Sequence, residues 1–153
     1  MIHIREVTIS EYLPNIGGVI RAHWQELESG LFPEGPDIKL GIFSTAEELG
    51  ILYSLGVFDG DEIVGYSMLT VTPHAHYDCT IATSTAIFLR KEYRKGSTGL
   101  TLLRRTEELA TRLGARYLSV AAKFRTDLDH ILARKGYIRD AVVRVKELTA
   151  WPG

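Results

Sequence analysis

The sequence predicts an α+β fold: a mixed, mostly antiparallel twisted sheet flanked by helices, in a single domain spanning residues 1–153. Three observations lead there. The chain has 153 residues, 45% hydrophobic and 24% charged, enough to bury one core. Strand-like runs at 51–58, 63–71 and 80–89 follow one another, the first two joined by the turn Asp59-Gly60-Asp61, which predicts antiparallel pairing. A strand, a helix and a strand then succeed each other from Thr80 to Ala121, which predicts a parallel pair joined by a right-handed crossover.

Each element has its own signal. Ile2 and Ile4 alternate with His3 and Arg5, as in a short half-buried strand. Thr8 and Glu11 have capping-box spacing, and Leu13, Ile16, Ile20, Trp24 and Leu27 recur as one face of a helix that Gly30 stops. Pro14 fits only the first turn of such a helix. Residues 31–43, with Pro33, Gly35, Pro36 and Gly41, read as a loop, and Ser44 with Glu47 marks a second helix start. Pro73-His74-Ala75-His76 interrupts the third strand, and Thr80 to Leu89 is rich in Thr, Ile and Phe. Leu102, Leu103, Leu109, Ala110 and Leu113 lie at helical spacing up to Gly114, and Tyr117 to Ala121 reads as a strand. Thr126 and Asp129 start a last helix that Gly136 ends, and Tyr137 to Leu148 is β-prone.

Composition excludes several functions. The net charge is -1, so no global basic field draws in nucleic acid. No apolar run approaches the roughly 20 residues that span a bilayer. Cys79 is the one cysteine, which rules out an internal disulfide and suits a reducing cytoplasm. The first residues lack a basic region followed by an apolar run, so a soluble cytoplasmic protein is expected. Arg90, Lys91, Arg94, Lys95, Arg104 and Arg105 cluster around the one acid Glu92, which suits a compact polyanion.

That cluster surrounds the segment with the clearest chemistry. The strand ending at Leu89 feeds Arg94-Lys95-Gly96-Ser97-Thr98-Gly99 and then a helix. The first N–H groups of a helix lack internal partners and carry partial positive charge. Gly96 and Gly99 let backbone approach a ligand, Ser97 and Thr98 offer hydroxyls, and Arg94 and Lys95 offer countercharge. A pyrophosphate suits such a site. A dinucleotide fold is not indicated, because Gly-x-Gly-x-x-Gly is absent.

Tyr93 to Gly99, followed by Leu102-Leu103, resembles the coenzyme A signature of the GNAT acetyltransferases, Arg/Gln-x-x-Gly-x-Gly/Ala. Arg94 matches its first position and Gly99 its last, with Ser97 where the family usually has a glycine and Gly96 beside it. Ile87-Phe88-Leu89 resembles the strand before that signature, Gly136-Tyr137 the Gly-Phe after the family's last helix, and Gly65 and Tyr66 fit its third strand. His76-Tyr77 and the spacing from Phe88 to Gly99 look most like small acetyltransferases encoded by bacteriophages. The resemblance implies acetyl-coenzyme A as cosubstrate, held by Ile87, Phe88, Leu89, Arg94, Lys95, Gly96, Ser97, Thr98, Gly99 and Leu100, and direct transfer of the acetyl group to an amine. It implies an amine-bearing small molecule or protein as acceptor, and a backbone N–H near Leu89 for the oxyanion.

The catalytic side chains are less marked. The tyrosine that protonates the leaving thiolate in the family falls at Leu132, with His130 the nearest titratable residue of that helix, and the family's asparagine falls at Phe124 or Arg125. Candidate bases are His74, His76, Tyr77 and Asp78, of which His76 and Tyr77 lead, with Glu26 and Glu28 on the first long helix and the hydroxyls Thr83, Ser84 and Thr85 able to orient a water. His74 and His76 share a strand face but lack a third ligand, so no metal is expected. Trp24, Tyr12, Phe32, Phe43 and Tyr53 serve either an acceptor groove or the core. The β-prone tail from Val142 to Leu148 offers an edge for a homodimer. The alternative function is a catalytically degenerate relative that binds coenzyme A or a host protein without turnover.

Overall fold

The computed structural model describes residues 1–148. Backbone contacts divide the chain into two units, Met1–Ala121 and Ala122 onward. In the first, β1 (Ile2–Val7) is followed by α1 (Ile9–Tyr12), α2 (Gly17–His23) and α3 (Leu40–Glu48). Next come β2 (Leu52–Asp59), β3 (Glu62–Pro73), β4 (Thr80–Leu89), α4 (Thr98–Arg112) and β5 (Tyr117–Val120). The strands form one sheet in the order β1-β2-β3-β4-β5. The β1–β2, β2–β3 and β3–β4 pairs are antiparallel and β4–β5 is parallel, the expected mixed sheet.

Two apolar layers cover the sheet. On one face Ile9, Tyr12, Ile16 and Val19 pack with Leu52, Ile63, Tyr66, Met68 and Phe88. On the other, Leu102, Leu109 and Ala110 of α4 pack with Leu55, Val57, Val64, Leu69, Ala82 and Leu89. A buried polar tie crosses the second layer: Thr106 Oγ1 and Ser67 Oγ are 2.9 Å apart, and Thr106 is completely buried.

The first long helix is broken. Thr8 caps α1 as expected, accepting from Glu11 N–H at 3.3 Å, but the Glu11 carboxylate binds Arg5 instead of closing the box. Pro14 sits in a single 3-10 turn, Leu13–Asn15, because it removes a donor that a continuous helix needs. After α2 the chain widens into a π segment, Trp24–Glu28, closed by Ser29 N–H donating to Trp24 O at 2.8 Å. The second expected helix begins earlier than Ser44, at Leu40 with Lys39 as cap, and so takes the end of the expected loop. Ser44 Oγ instead donates to Gly41 O, and the Glu47 carboxylate accepts from Ile9 N–H at 2.9 Å, serving the start of α1 rather than its own helix.

In the second unit, α5 (Asp127–Arg134) starts as expected, with Thr126 accepting from Asp129 N–H. Gly136 at φ +86° turns the chain out of it, and Tyr137 N–H donates to Leu132 O. The β-prone stretch Tyr137 to Leu148 forms no strand. From Ile138 on its side chains are exposed, Ile138 at 89% and Val143 at 83%. Alternating branched residues fit a pleated surface only when a neighbouring strand supplies the ladder, and none pairs with them among the described residues. No helix of the described residues is long and apolar enough to cross a membrane.

Candidate active site

The site is organised by the end of β4. Its pairing to β3 shifts between Met68 and Leu69, leaving Thr85 as an extra residue whose Oγ1 donates to Met68 O. Side chains two apart on a strand share a face, so a regular β4 puts Phe88 on the same side as Ala82. The inserted residue reverses this: Ala82 packs in the α4 layer, and Phe88 in the layer of α1 and α2. Gly65 permits the close approach, since a Cβ there lies 2.7 Å from Phe88 O and 3.1 Å from Leu89 Cα. Pairing with β5 runs only from Ile81 to Ser84, so Thr85 to Leu89 have no β5 partner. Arg90 N–H donates to Val64 O at 3.0 Å, and the alternation of the antiparallel ladder therefore turns Leu89 N–H away from β3.

Beyond Leu89 a 3-10 turn, Lys91–Tyr93, leads to the glycine loop. Gly96 adopts φ +84°, a conformation other residues avoid. Ser97 occupies the cap position of α4 but makes no capping bond with its side chain, so the first N–H groups of α4 have no internal acceptor. A hollow of about 380 Å3 adjoins this turn, lined by Ser97, Thr98, Thr101, Arg104 and Arg105 with His3 and Ile4 of β1. Hydroxyls, guanidinium groups and an open helix start are the donor set that a phosphorylated cosubstrate requires.

Arg94 is turned toward the other face of the sheet. Its Nε donates to Leu89 O at 2.7 Å, and its two terminal nitrogens donate to the Glu26 carboxylate at 2.7 and 2.9 Å. The guanidinium also lies 5.2 Å over the Phe88 ring. It holds the Glu26 carboxyl below the usual carboxylate range. The first residue of the signature thus clamps the π segment to the end of β4.

Next to that clamp lies an open pocket of about 440 Å3, lined by Ile20, His23, Trp24, Glu28, Phe32, Glu34, Gly35, Pro36 and Tyr66. Trp24 Nε1 donates to Phe32 O at 2.6 Å, which fastens residues 32–36 as a wall over the helix. His23 stacks on Phe88 with ring centres 4.7 Å apart and planes 7° from parallel, and its Nδ1 lies 2.5 Å from Tyr66 Oη. Burial, and then the charge of Glu28, push the Tyr66 phenol well above its ordinary pKa.

Ile87, Phe88, Leu89 and Arg94 to Leu100 therefore converge on one strand–loop–helix junction. His76 and Tyr77 do not join it. They sit in the bend between β3 and β4, where His76 N–H donates to His74 Nδ1 and Tyr77 is 71% exposed. Along β4 from Thr80 to Leu89, at about 3.3 Å per residue, roughly 30 Å separates that bend from the junction. His130 belongs to the second unit, exposed on α5, where Leu132 is buried. Among the described residues no group of three or more His, Cys, Asp or Glu is placed to hold a metal ion. His23 escaped the sequence reading, which named Tyr66 only as fitting the family's third strand; the available signal was a histidine directly before the tryptophan of an apolar helix face, with a tyrosine following the tightly packed Gly65.

Residues 18–137 match the model of the acetyltransferase (GNAT) family. The chain belongs to the GNAT family. Solved structures share this GNAT fold across almost the whole chain. An aminoglycoside acetyltransferase from an uncultured soil metagenomic sample matches with a TM-score of 0.77 at 12% identity, covering 98% of this chain and 99% of its own. A second from such a sample, in complex with sisomicin, gives 0.74 at 17%, covering 97% and 96%. A ribosomal-protein-alanine N-acetyltransferase from Brucella melitensis gives 0.72 at 11%, covering 97% and 100%. No curated protein matches this GNAT chain in sequence.

Proposed function

We propose that this GNAT protein moves an acetyl group from acetyl-coenzyme A directly to an amine. The observation that carries the reading is the end of β4 without a β5 partner, Thr85 to Leu89, running into the uncapped first turn of α4. Backbone N–H groups from Gly96 to Leu100, with Lys95, Ser97 and Thr98, hold the pyrophosphate. The unpaired strand edge takes the amide-bearing arm as an added strand does. In this reading Leu89 N–H donates to the oxyanion that forms as the amine attacks the thioester carbon, and its turn away from β3 supports that role. The pocket of His23, Trp24 and Glu28, whose His23 stacks on Phe88, receives the acceptor. Two of the neighbouring structures being aminoglycoside acetyltransferases supports a small amine as acceptor.

Calorimetric titration with acetyl-coenzyme A, with desulfo-coenzyme A and ATP as controls, tests the cosubstrate. Micromolar affinity that survives loss of the sulfur and is not matched by ATP is expected. Absence of binding at millimolar ligand removes the transferase reading.

A further inference from the structure

The pocket beside the Arg94–Glu26 clamp has more built into it than a place for an acceptor. Its lining holds two carboxylates, Glu28 and Glu34, and neither lysine nor arginine. Trp24, Phe32 and Tyr66 give it aromatic walls that favour a cation over a neutral guest. At its floor the Tyr66 hydroxyl and the His23 imidazole are joined, Oη to Nδ1, at 2.5 Å. Tyr66 is 5% exposed, so its ring is held by packing, and it meets Tyr12 edge-on with ring centres 6.2 Å apart. The His23 plane is fixed by stacking on Phe88, which belongs to the end of β4 that has no β5 partner.

From this geometry we propose that the pocket binds a multiply charged aliphatic amine, and that the Tyr66–His23 couple receives the proton which the attacking ammonium must lose. The inference rests on the acetyl-transfer reading. A buried phenol near Glu28 keeps its own proton, and in the proposed couple it donates to His23 Nδ1, 2.5 Å away. When the acceptor ammonium donates to Tyr66 Oη, the phenolic proton passes to the imidazole, leaving a neutral amine, an intact phenol and an imidazolium. The amine nitrogen then bonds to the acetyl carbon and the carbon–sulfur bond breaks. A second nitrogen-bound proton converts the departing thiolate to a thiol, and the imidazolium returns its proton to water. One ammonium is thereby consumed, and the remaining charge of the acceptor faces Glu28 and Glu34.

The test uses the full chain with spermidine as probe. Binding of spermidine is measured by calorimetry with desulfo-coenzyme A present and absent, and acetylation is measured at saturating acetyl-coenzyme A. Glu28→Gln is expected to weaken spermidine binding about tenfold, which is the effect of one lost charge contact near 1.4 kcal/mol. His23→Gln and Tyr66→Phe are expected to leave KM for spermidine within twofold and to lower kcat at least 100-fold, about the value of a positioned general base. Spermidine that fails to bind, or binds and is not acetylated by the unaltered protein, overturns the proposal. So does kcat within threefold of the parent in both variants. Failure of acetyl-coenzyme A itself to bind removes the underlying transferase reading instead, and spermidine binding then reports separately on the pocket.

Discussion

The clamp between Arg94 and Glu26 yields the most direct prediction. Two N–H groups reach the carboxylate at 2.7 and 2.9 Å, and the side chains are 30% and 21% exposed. Hydrogen bonds to charged groups contribute about 1.5–3 kcal/mol when shielded, and exposed pairs about 0.2–1 kcal/mol, so a coupling of about 1–2 kcal/mol is expected here. The assay is a double-mutant cycle of Glu26→Gln, Arg94→Met and the pair, followed by chemical and thermal denaturation. At about 2–4 °C per kcal/mol for a chain of this size, each single variant should melt roughly 2–8 °C lower. The hydrogen bond from Arg94 lowers the Glu26 pKa in the folded state, so the unfolded chain binds the more protons as the solution is acidified. The clamp's contribution is therefore complete at neutral pH. It shrinks below the ordinary carboxylate value of about 4.3 and is gone once pH passes the depressed folded value. A coupling under about 0.5 kcal/mol, or a gap between parent and Glu26→Gln that widens on acidification, refutes the assignment of this pair as the clamp.

Two further substitutions probe the frame of the site. Gly65→Ala places a Cβ 2.7 Å from Phe88 O, a backbone atom that cannot step aside without moving the end of β4, and should destabilise by about 1–3 kcal/mol in urea denaturation. Thr106→Val removes the partner of buried Ser67 while preserving shape, and should cost about 1–3 kcal/mol in the same measurement, with Ser67→Ala in the Thr106→Val background recovering part of it.

Much of this structure was legible because local chemistry dictates it. The hairpin at Gly60 and the capping of α1 by Thr8 and of α5 by Thr126 rest on interactions within a few residues, and they form as the sequence indicates. The glycine loop is of the same kind, with Gly96 in a conformation only glycine adopts easily. Where the reading failed, the deciding partner is distant in sequence. Ser44 and Glu47 have the spacing of a cap, but Glu47 finds Ile9 N–H 38 residues away. Tyr137 to Leu148 has strand composition, and composition cannot supply a neighbouring strand. Arg94 was read as countercharge for a phosphate, and nothing near it in sequence reveals the carboxylate 68 residues earlier that it binds.

The same reasoning explains why His23 could not be found from periodicity. Two irregularities shape its surroundings. The π segment adds a residue to the turn after His23, which rotates the following side chains by about 100° from the continuous helix. In that phase Glu26 meets Arg94, and Trp24 reaches Phe32 O. On the sheet, the extra residue Thr85 turns Phe88 from the α4 layer to the α2 layer, where it becomes the surface on which the imidazole stacks. Regularise β4, and Phe88 returns to the α4 layer, leaving His23 without its stacking surface and Arg94 without the ring beneath it. Both irregularities are single-residue insertions in otherwise regular elements, and neither changes the binary pattern enough to be read from one sequence. Together they stack His23 of the pocket on Phe88 of the stretch of β4 that lacks a β5 partner, the proximity on which the proposed direct transfer depends.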